Sequence, residues 1–283
     1  MKQITVKAYA KINLFLEVKE RLPNGYHDLE SIMQSVSLCD VLHFEINDSN
    51  TFTLDCPKID CDYKSNLIYK AAMEFFRVSG IQFTGLDVKV EKNIPSCAGL
   101  AGGSSDAAAT LKALNSLYKM PFSDLELRNI GGNIGADVPF CLLGATALAK
   151  GIGEVLLPIE SMPDCFIVIA IGNDGVSTKW AFEQLDGQTN RVIRTTEAII
   201  SAIKANSLSS VCREFYNVFE SVSPYEKAIK EIMLKNGSLG ALMSGSGPSV
   251  FGIYTDENNA KATVKGLTDE GYFAFLCVPQ KNI

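Results

Sequence analysis

A glycine-rich turn that runs directly into a helical pattern is the feature that most constrains this chain. The run reads IPSCAGLAGGSSDAAATLKALNSLY and occupies residues 94–118. Its glycines can adopt backbone angles that other residues avoid, so the main chain can approach a ligand closely. Unpaired amide groups and the dipole at a helix start attract an anion. The run therefore predicts a phosphate cradle, with Ser104, Ser105 and Asp106 as candidate caps of its helix.

The spacing excludes the commonest glycine-rich phosphate loops. A Walker A loop requires GxxxxGK followed by Ser or Thr, and no lysine follows Gly103. A dinucleotide fingerprint requires GxGxxG, which GLAGGS does not match. The HRD and DFG motifs of protein kinases do not occur in order. The alternative to a phosphate cradle is a glycine-rich turn that merely starts a helix. The other motifs of the chain have to distinguish the two.

The amino-terminal segment predicts strands that carry two polar side chains on one face. Residues 4–18 alternate and are rich in branched side chains, and Lys11 and Asn13, two positions apart, point the same way. A half-buried ammonium is costly unless it meets an anion. Lys11 is therefore either a surface lysine whose stem covers the sheet or a lysine aimed into a site.

A Pro-Asn-Gly turn next presents an aromatic ring beside a histidine, Tyr26 and His27. Tyr26 is suited to stack on a nucleic acid base while His27 hydrogen-bonds the edge of that base. Such stacking contributes about 1–3 kcal/mol per base. The alternative is that Tyr26 covers a hairpin and His27 is a solvated turn residue.

Two further loops carry polar or small residues between apolar segments. Asp137 lies in GADVPF before an apolar run, so its carboxylate should meet a cation, a backbone donor or a substrate hydroxyl. Its alternative role is a helix cap before Pro139. The loop at 244–248 is either a tight hairpin or a second glycine loop that supports the phosphate site.

Taken together, these motifs resemble the GHMP kinase superfamily, named for galactokinase, homoserine kinase, mevalonate kinase and phosphomevalonate kinase. The resemblance runs nearly end to end: its central glycine motif occupies residues 95–107 and its carboxyl-terminal glycine motif residues 245–249. AKINLFLEV, GYH, GGSSDAAATL and GADVPF are similar to the branch with a cytidine diphosphate substrate. Ala101 stands where that branch commonly has glycine, which implies a slightly different turn.

The resemblance implies an α+β protein with a two-lobed GHMP kinase fold and its active site in the cleft between the lobes. Residues 1–153 would form the domain that holds the ATP phosphates and the catalytic residues. Residues 154–283 would form the carboxyl-terminal domain, which contributes to the substrate site. A length of 283 residues with 47% apolar content suits two such units.

The implied reaction is transfer of the γ-phosphate of ATP to the 2-hydroxyl of the diphosphocytidyl derivative of 2-C-methyl-D-erythritol, a step towards isoprenoid precursors. Asp137 is implied as the base that accepts the hydroxyl proton, and Lys11 as the group that stabilises charge at the reacting oxygen and phosphate. These roles suit phosphoryl transfer, in which positioning and electrostatics do most of the work. ATP and Mg²⁺ are the implied cofactors, with Ser105 near Mg²⁺ and the metal ligands left open.

The resemblance also implies the binding residues. Asn66 would hold adenine, and the residues implied for the ATP phosphates are Pro95, Ser96, Cys97, Ala98, Gly99, Leu100, Ala101, Gly102, Gly103, Ser104 and Ser105. Tyr26 and His27 would contact the cytosine, and Phe182 would supply a second stacking ring, with Trp180 as a less favoured candidate. Asn13 would steer the erythritol hydroxyl.

The net charge and the cysteine content indicate which partners and which cellular location to expect. A net charge of −6 argues against an extended nucleic-acid surface but allows an anionic substrate. The eight cysteines show no paired metal spacing, and Cys56 and Cys61 are the one close pair. The first residues alternate instead of forming an apolar block, and no apolar run reaches membrane length. We expect a cytoplasmic monomer or weak homodimer without nucleic-acid or membrane partners.

Three rival functions stay open. Another small-molecule GHMP kinase would keep the glycine loop without needing the turn at 25–27. A decarboxylase of the same fold would also use ATP and an aspartate, but it would release carbon dioxide. A non-catalytic nucleotide sensor would keep the cradle, although the presence of both Lys11 and Asp137 weighs against it.

Hydrophobic periodicity predicts the order of the elements. Strands dominate to about residue 56, and the lobe boundary is expected near Gly153. The other predicted strands are 86–91, 164–171, 239–243, 249–254 and 272–278; the predicted helices are 65–79, the one after the phosphate loop, 195–205, 208–219 and 224–235.

Overall fold

The architecture comes from a computed structural model that describes residues 2–56, 62–172, 177–188, 191–222 and 227–281. The strands are β1 (Gln3–Arg21), β2 (His27–Ile46), β3 (Phe52–Asp55), β4 (Leu86–Glu91), β5 (Thr146–Gly151), β6 (Val155–Pro158), β7 (Phe166–Ile171), β8 (Tyr216–Asn217), β9 (Gly240–Met243), β10 (Ser249–Tyr254) and β11 (Phe273–Cys277). The helices are α1 (Leu67–Ser79), α2 (Gly102–Leu117), α3 (Asp124–Gly132), α4 (Val138–Leu143), α5 (Thr178–Asp186), α6 (Glu197–Lys204), α7 (Leu208–Arg213), α8 (Lys227–Lys235) and α9 (Glu257–Asp269).

Two long antiparallel strands, β1 and β2, form the centre of the first sheet. β2 pairs with β1 along one edge, while on its other edge the first half pairs with β5 and the second half with β4. The strand order is β3-β4-β2-β1-β8, and β6 extends the sheet from β5. Helices α1 and α2 bury their apolar sides on this sheet, around Phe44 of β2, Phe75 of α1 and Leu111 of α2.

The pairing of β1 with β2 is irregular on both sides of Lys11 and Asn13. Tyr9 lies opposite Cys39 but Lys11 lies opposite Ser35, and a second shift follows Asn13. Such irregularities bend a strand and re-aim its side chains. Lys11 and Asn13 are both buried and bonded to each other, so the prediction that they share one face is confirmed.

The second sheet is antiparallel, in the order β11-β7-β10-β9. One face packs on the first sheet through side chains such as Ile12 and Leu14 of β1 and Ile169 of β7. The other face packs on α5, α8 and α9. Burying one such side chain contributes about 1.5–3 kcal/mol, so the first of these faces holds the two sheets together and the second holds the three helices on the sheet. The predicted α+β architecture with two domains is confirmed.

The predicted helix at 208–219 is wrong beyond Arg213. The chain leaves α7 and forms β8, whose Tyr216 and Asn217 pair in parallel with Phe15 and Leu16 of β1. Pairing with a distant strand outweighs the local helical pattern here. The start of the predicted helix at 224–235 lies outside the described residues, and the rest is α8.

The boundary predicted at residue 153 stays a prediction. β6 and β8 both lie beyond that residue in sequence, yet both belong to the first sheet. Residues after 153 therefore complete the sheet that carries Lys11.

Candidate active site

The phosphate loop ends in a helix start without a side-chain cap. Ala101 occupies the cap position of α2 in a left-handed conformation, with φ of 58°, and no side chain bonds to the first amides. Ser104, Ser105 and Asp106 lie inside α2, so the prediction that they cap it is wrong. Because the first amides of a helix have no intrahelical acceptor, this helix start offers them to an anion.

A second glycine loop, residues 244–248, packs directly against the first. A Cβ atom on Gly99 would lie 2.3 Å from the Ser244 carbonyl oxygen, so only glycine fits there. The Ser244 hydroxyl also donates to the Gly99 carbonyl at 3.1 Å. The loop connects β9 to β10 and also supports the phosphate loop, as one of its two sequence interpretations predicts.

Lys11 and Asp137 meet beside these loops. The Lys11 ammonium is 4.0 Å from the nearest carboxylate oxygen of Asp137. The side chain of Lys11 is 6% exposed, whereas that of Asp137 is 34% exposed and makes no capping bond to α4. Lys11 is therefore a lysine aimed into a site, and the carboxylate of Asp137 is not used as a helix cap.

Asn13 connects Lys11 to the second glycine loop. Its carboxamide oxygen accepts from the Lys11 ammonium at 2.7 Å and from the Gly245 amide at 3.1 Å. Its Nδ2 group donates to the Ser31 hydroxyl at 2.8 Å. Asn13 is 1% exposed. It therefore positions Lys11 and the loop more directly than it reaches a substrate.

The predicted ATP-binding residues of the phosphate loop differ in exposure. Ser96, Cys97 and Gly103 are exposed along the loop, while Ala98 and Leu100 are buried anchors. The Leu100 carbonyl accepts from the amide of Lys11 at 3.1 Å, which ties the loop to β1.

Ser105 is turned away from the open side of the cradle. Its hydroxyl donates to the Tyr9 carbonyl at 2.6 Å and its amide to the Ala101 carbonyl at 2.9 Å. Ser104 is more exposed, and its hydroxyl oxygen would be 3.9 Å from a Cβ on Gly135. Of the two serines, Ser104 is the one directed towards the loop that precedes Asp137.

Asn66 starts α1 close to the cradle. Its side-chain oxygen accepts from the Ile68 amide at 2.9 Å, which caps the helix. Its Nδ2 group has no hydrogen-bond partner within the described ranges. The next residue, Leu67, would lie 3.6 Å from a Cβ on Gly103. Asn66 thus lies beside the first turn of α2, and its Nδ2 group is available as a hydrogen-bond donor.

A buried charge cluster lies behind the first turn of α2. Lys92 donates to Asp40 and, at 2.7 Å, to Asp106, and all three residues are less than 10% exposed. Asp40 also accepts from the Asn93 and Ile94 amides, but one oxygen of Asp106 has no partner. Burial raises the pKa of the Asp106 carboxyl to about 7 against the attraction of Lys92. Two acids share one lysine, so Asp106 tends to keep its proton.

The Tyr26 turn and helix α5 form a separate aromatic group. The His27 ring stacks on Phe182 with centroids 4.6 Å apart and planes 20° apart, and its Nε2 atom is 2.7 Å from Asp186. Tyr26 is 59% exposed. His27 covers one face of the Phe182 ring, and the Phe219 ring meets it at 87° with centroids 5.0 Å apart, so the sandwich of a base between Tyr26 and Phe182 stays a prediction. Trp180 has no ring contact in the part of the chain that the structure describes.

Sequence reasoning missed two residues that hold the site together. Asn217 donates to the carbonyls of Met243 and Gly245 at 2.7 and 2.8 Å and so fixes the second glycine loop. Asp186 holds His27. An asparagine within an apolar segment was a signal for the first, but nothing local marks the second.

Neither a metal cluster nor a membrane-spanning helix is found in the described ranges. No group of three or more His, Cys, Asp or Glu side chains there could hold a metal ion. Cys61 of the cysteine pair lies outside those ranges, and no helix within them is long and apolar enough to cross a membrane.

An uncapped helix start, a second glycine loop and a buried lysine that faces an aspartate together suit an enzyme that transfers a phosphoryl group to a small molecule. The chain matches the GHMP kinases N terminal domain over residues 66–145 and the GHMP kinases C terminal domain over residues 195–272. Curated 4-diphosphocytidyl-2-C-methyl-D-erythritol kinases are 39% and 40% identical to it over nearly its whole length, and the chain belongs to their family.

Curated relatives with that name are similar over nearly the whole chain. The one from Geobacter metallireducens is 40% identical and the alignment covers 98% of this chain and 99% of the relative. The one from Caldicellulosiruptor bescii is 43% identical over 93% of both chains. A crystal structure of 4-(cytidine 5'-diphospho)-2C-methyl-D-erythritol kinase is 32% identical, with a TM-score of 0.83, over 99% of this chain and all of that one. An L. major mevalonate kinase at 19% identity and a TM-score of 0.74 shares the fold, with 99% and 97% of the two chains covered.

Proposed function

We propose that this protein transfers the γ-phosphate of ATP to the 2-hydroxyl of 4-diphosphocytidyl-2-C-methyl-D-erythritol, in the synthesis of isoprenoid precursors. The observation that carries the proposal is the Lys11–Asp137 pair beside two interlocked glycine loops. Relatives of that name, about 40% identical over nearly the full chain, support the substrate.

Asp137 accepts the proton of the attacking hydroxyl. Its carboxylate is partly exposed and has no capping bond, so an oxygen is available for a substrate donor. Lys11 stabilises the negative charge that builds on the reacting oxygen and phosphate, and Asn13 holds its ammonium at 2.7 Å. Fixed charges of this kind stabilise a transition state without having to reorganise.

The phosphate loop and Asn66 hold ATP, which supplies the phosphoryl group. The fit rests on the cradle: the first amides of α2 are uncapped, and Gly99 has no room for a Cβ. The exposed Ser96, Cys97 and Gly103 and the partly buried Pro95 and Ser104 line the phosphates, while Ser105 supports the loop from behind. Asn66 offers its Nδ2 group to adenine.

Mg²⁺ neutralises phosphate charge when it is bound with ATP. Such ions keep waters and bind through phosphates and one or two protein oxygens, which agrees with the lack of a dedicated acidic cluster in the described part of the chain. The Ser104 hydroxyl is the better protein candidate, because the Ser105 hydroxyl donates to Tyr9.

Tyr26, His27 and Phe182 hold the cytosine. Tyr26 offers an exposed ring face for stacking, His27 offers a ring edge, and Phe182 supports His27 from behind. Asn13 acts on the substrate hydroxyl through Lys11.

The cellular setting is part of the proposal. We place the enzyme in the cytoplasm as a monomer or weak homodimer, with domains meeting near residue 153 and no nucleic-acid or membrane partner. The described cysteines form no disulfide, as is usual in a reducing compartment, and the net charge of −6 disfavours nucleic acid.

A turnover assay with ATP, Mg²⁺ and three alcohols tests the function. Purified protein is given the cytidine compound, homoserine or mevalonate, and ADP and phosphorylated product are followed. We expect turnover with the cytidine compound alone. Turnover with another alcohol would overturn the substrate assignment, and ATP binding without turnover would indicate a sensor.

A further inference from the structure

His27 is held on two sides by one helix. Phe182 and Asp186 are four residues apart on α5, so they lie one above the other on the same face. Phe182 covers one face of the imidazole at a centroid distance of 4.6 Å, and Asp186 binds its Nε2 atom at 2.7 Å. The His27 side chain is 10% exposed. Ring plane and ring rotation are therefore both determined by α5.

The contact with Asp186 also determines which ring nitrogen carries the proton. A carboxylate only accepts hydrogen bonds, so the proton lies on Nε2. In the neutral ring, Nδ1 then keeps a lone pair, and Nδ1 has no partner in the described ranges. The other oxygen of Asp186 faces the Arg21 guanidinium at 3.7 Å, so the carboxylate lies between the histidine ring and a cation.

The position of Asp186 is unfavourable for its own helix. Asp186 is the last residue of α5, where the helix dipole disfavours a negative charge. Its pair with Arg21 is partly exposed, and such pairs contribute about 0–1 kcal/mol. Helix stability therefore does not explain an acid at this position, whereas the bond to a nearly buried histidine does.

We propose that Asp186 is a positioning residue that sets base specificity, by holding His27 with Nδ1 as a hydrogen-bond acceptor for the amino group of cytosine. Cytosine carries an N4 amino donor where uracil carries an O4 acceptor. An acceptor on His27 bonds the first and repels the second. The inference rests on the proposed function, from which the cytidine substrate is taken.

Steady-state kinetics with two substrates that differ only in the base test the inference. The wild type, Asp186→Ala and the control Glu183→Ala are compared on the cytidine substrate and on its uridine counterpart. Glu183 is an exposed acid of the same helix that pairs with Lys179 at 3.9 Å. For Asp186→Ala we expect KM for the cytidine substrate to rise about 10-fold or more, with kcat and KM for ATP within about threefold. The cytidine preference should fall at least 10-fold, and Glu183→Ala should match the wild type.

Preference for cytidine that is unchanged in Asp186→Ala would overturn the inference, even if overall activity fell. A loss of stability alone lowers the amount of active enzyme for both bases equally and leaves their ratio unchanged. The ratio of kcat/KM values thus separates specificity from a structural role.

Ring ¹⁵N spectra give a second readout that needs no turnover. The chain has two histidines, so the His27 signals can be assigned with His43→Gln. We expect the Nε2-protonated tautomer in the wild type and a mixture of tautomers in Asp186→Ala. An Nδ1-protonated ring in the wild type would overturn the inference. If the wild type phosphorylates neither nucleotide compound, the proposed function fails, and the spectra together with direct binding of CDP and UDP still decide the role of Asp186.

Discussion

The Lys11 ammonium lies 4.0 Å from the Asp137 carboxylate, held there by a hydrogen bond to Asn13 and not by one to Asp137. This separation is too long for a hydrogen bond. The two groups are therefore linked by charge alone, and each keeps bonding capacity for a substrate. Lys11 comes from the irregular part of β1 and Asp137 from the residue before α4.

Asp137→Asn should abolish most turnover without weakening ATP binding. The amide has nearly the same shape but does not accept the hydroxyl proton, and a general base contributes about 10²- to 10⁴-fold. We expect kcat to fall by that factor in single-turnover assays while ATP binding changes little. Asp124→Asn, the same change at an exposed position of α3, should have no effect. Substantial residual activity would remove Asp137 as the base.

Gly99→Ala should disrupt the contact between the two glycine loops. Its Cβ would lie 2.3 Å from the Ser244 carbonyl oxygen, and φ of +73° already disfavours alanine. We expect the free energy of unfolding to fall by about 1–3 kcal/mol, with weaker ATP binding, measured by urea unfolding and calorimetry.

Gly266→Ala is the matched control for that change. Gly266 lies inside α9, and a Cβ there would meet nothing within 4 Å. Helix propensity should stabilise this variant by up to about 1 kcal/mol. Equal effects of the two substitutions would contradict the close packing at Gly99.

Asp106 should make stability depend on pH. Burial raises the pKa of its carboxyl from 3.8 to about 7, so between these values the folded chain holds a proton that the unfolded chain releases. The free energy of unfolding should therefore decrease as the pH rises from about 4 to 7 and stay lower above that. One pKa unit corresponds to about 1.4 kcal/mol, so the contribution is on the order of a few kcal/mol.

Asp106→Asn isolates this contribution, because the amide mimics the protonated acid. We expect the variant to lose less stability than the wild type between pH 5 and 8, in urea unfolding at each pH. Asp48→Asn, at a side chain that is 86% exposed, serves as control. Parallel pH profiles of wild type and Asp106→Asn would show that Asp106 is ionised throughout.

Tyr26→Ala should selectively weaken the binding of the cytidine substrate. Loss of a stacking ring costs about 1–3 kcal/mol, so KM for that substrate should rise roughly 5- to 150-fold while KM for ATP stays the same. Tyr26→Phe keeps the ring and should stay near the wild type. An unchanged KM in Tyr26→Ala would exclude stacking on this 59% exposed residue.

Local patterns were sufficient where the contacts are local. The alternation in β1 placed Lys11 and Asn13 on one face because the period of a strand is two residues. Helical spacing likewise predicted α1 and α6 to within a few residues. In these elements, the buried face is the one to which the sequence pattern assigns the apolar residues.

Contacts between distant segments account for what the sequence did not predict. α7 ends early because β8 pairs with β1. The stacking of His27 on Phe182 requires α5 to dock against the turn before β2. None of these has a local signal.

Because β8 belongs to the first sheet, a fragment that lacks β8 would have an incomplete sheet edge. Tyr216 and Asn217 cover part of the edge of β1, and Gly245 satisfies the carboxamide of Asn13. A fragment ending at residue 153 would expose unpaired backbone groups along β1 and be prone to strand-to-strand aggregation. Lys11, the proposed catalytic lysine, is thus held in place only when both parts of the polypeptide are present, and complementation of separately produced halves would have to rebuild a sheet edge before any activity returned.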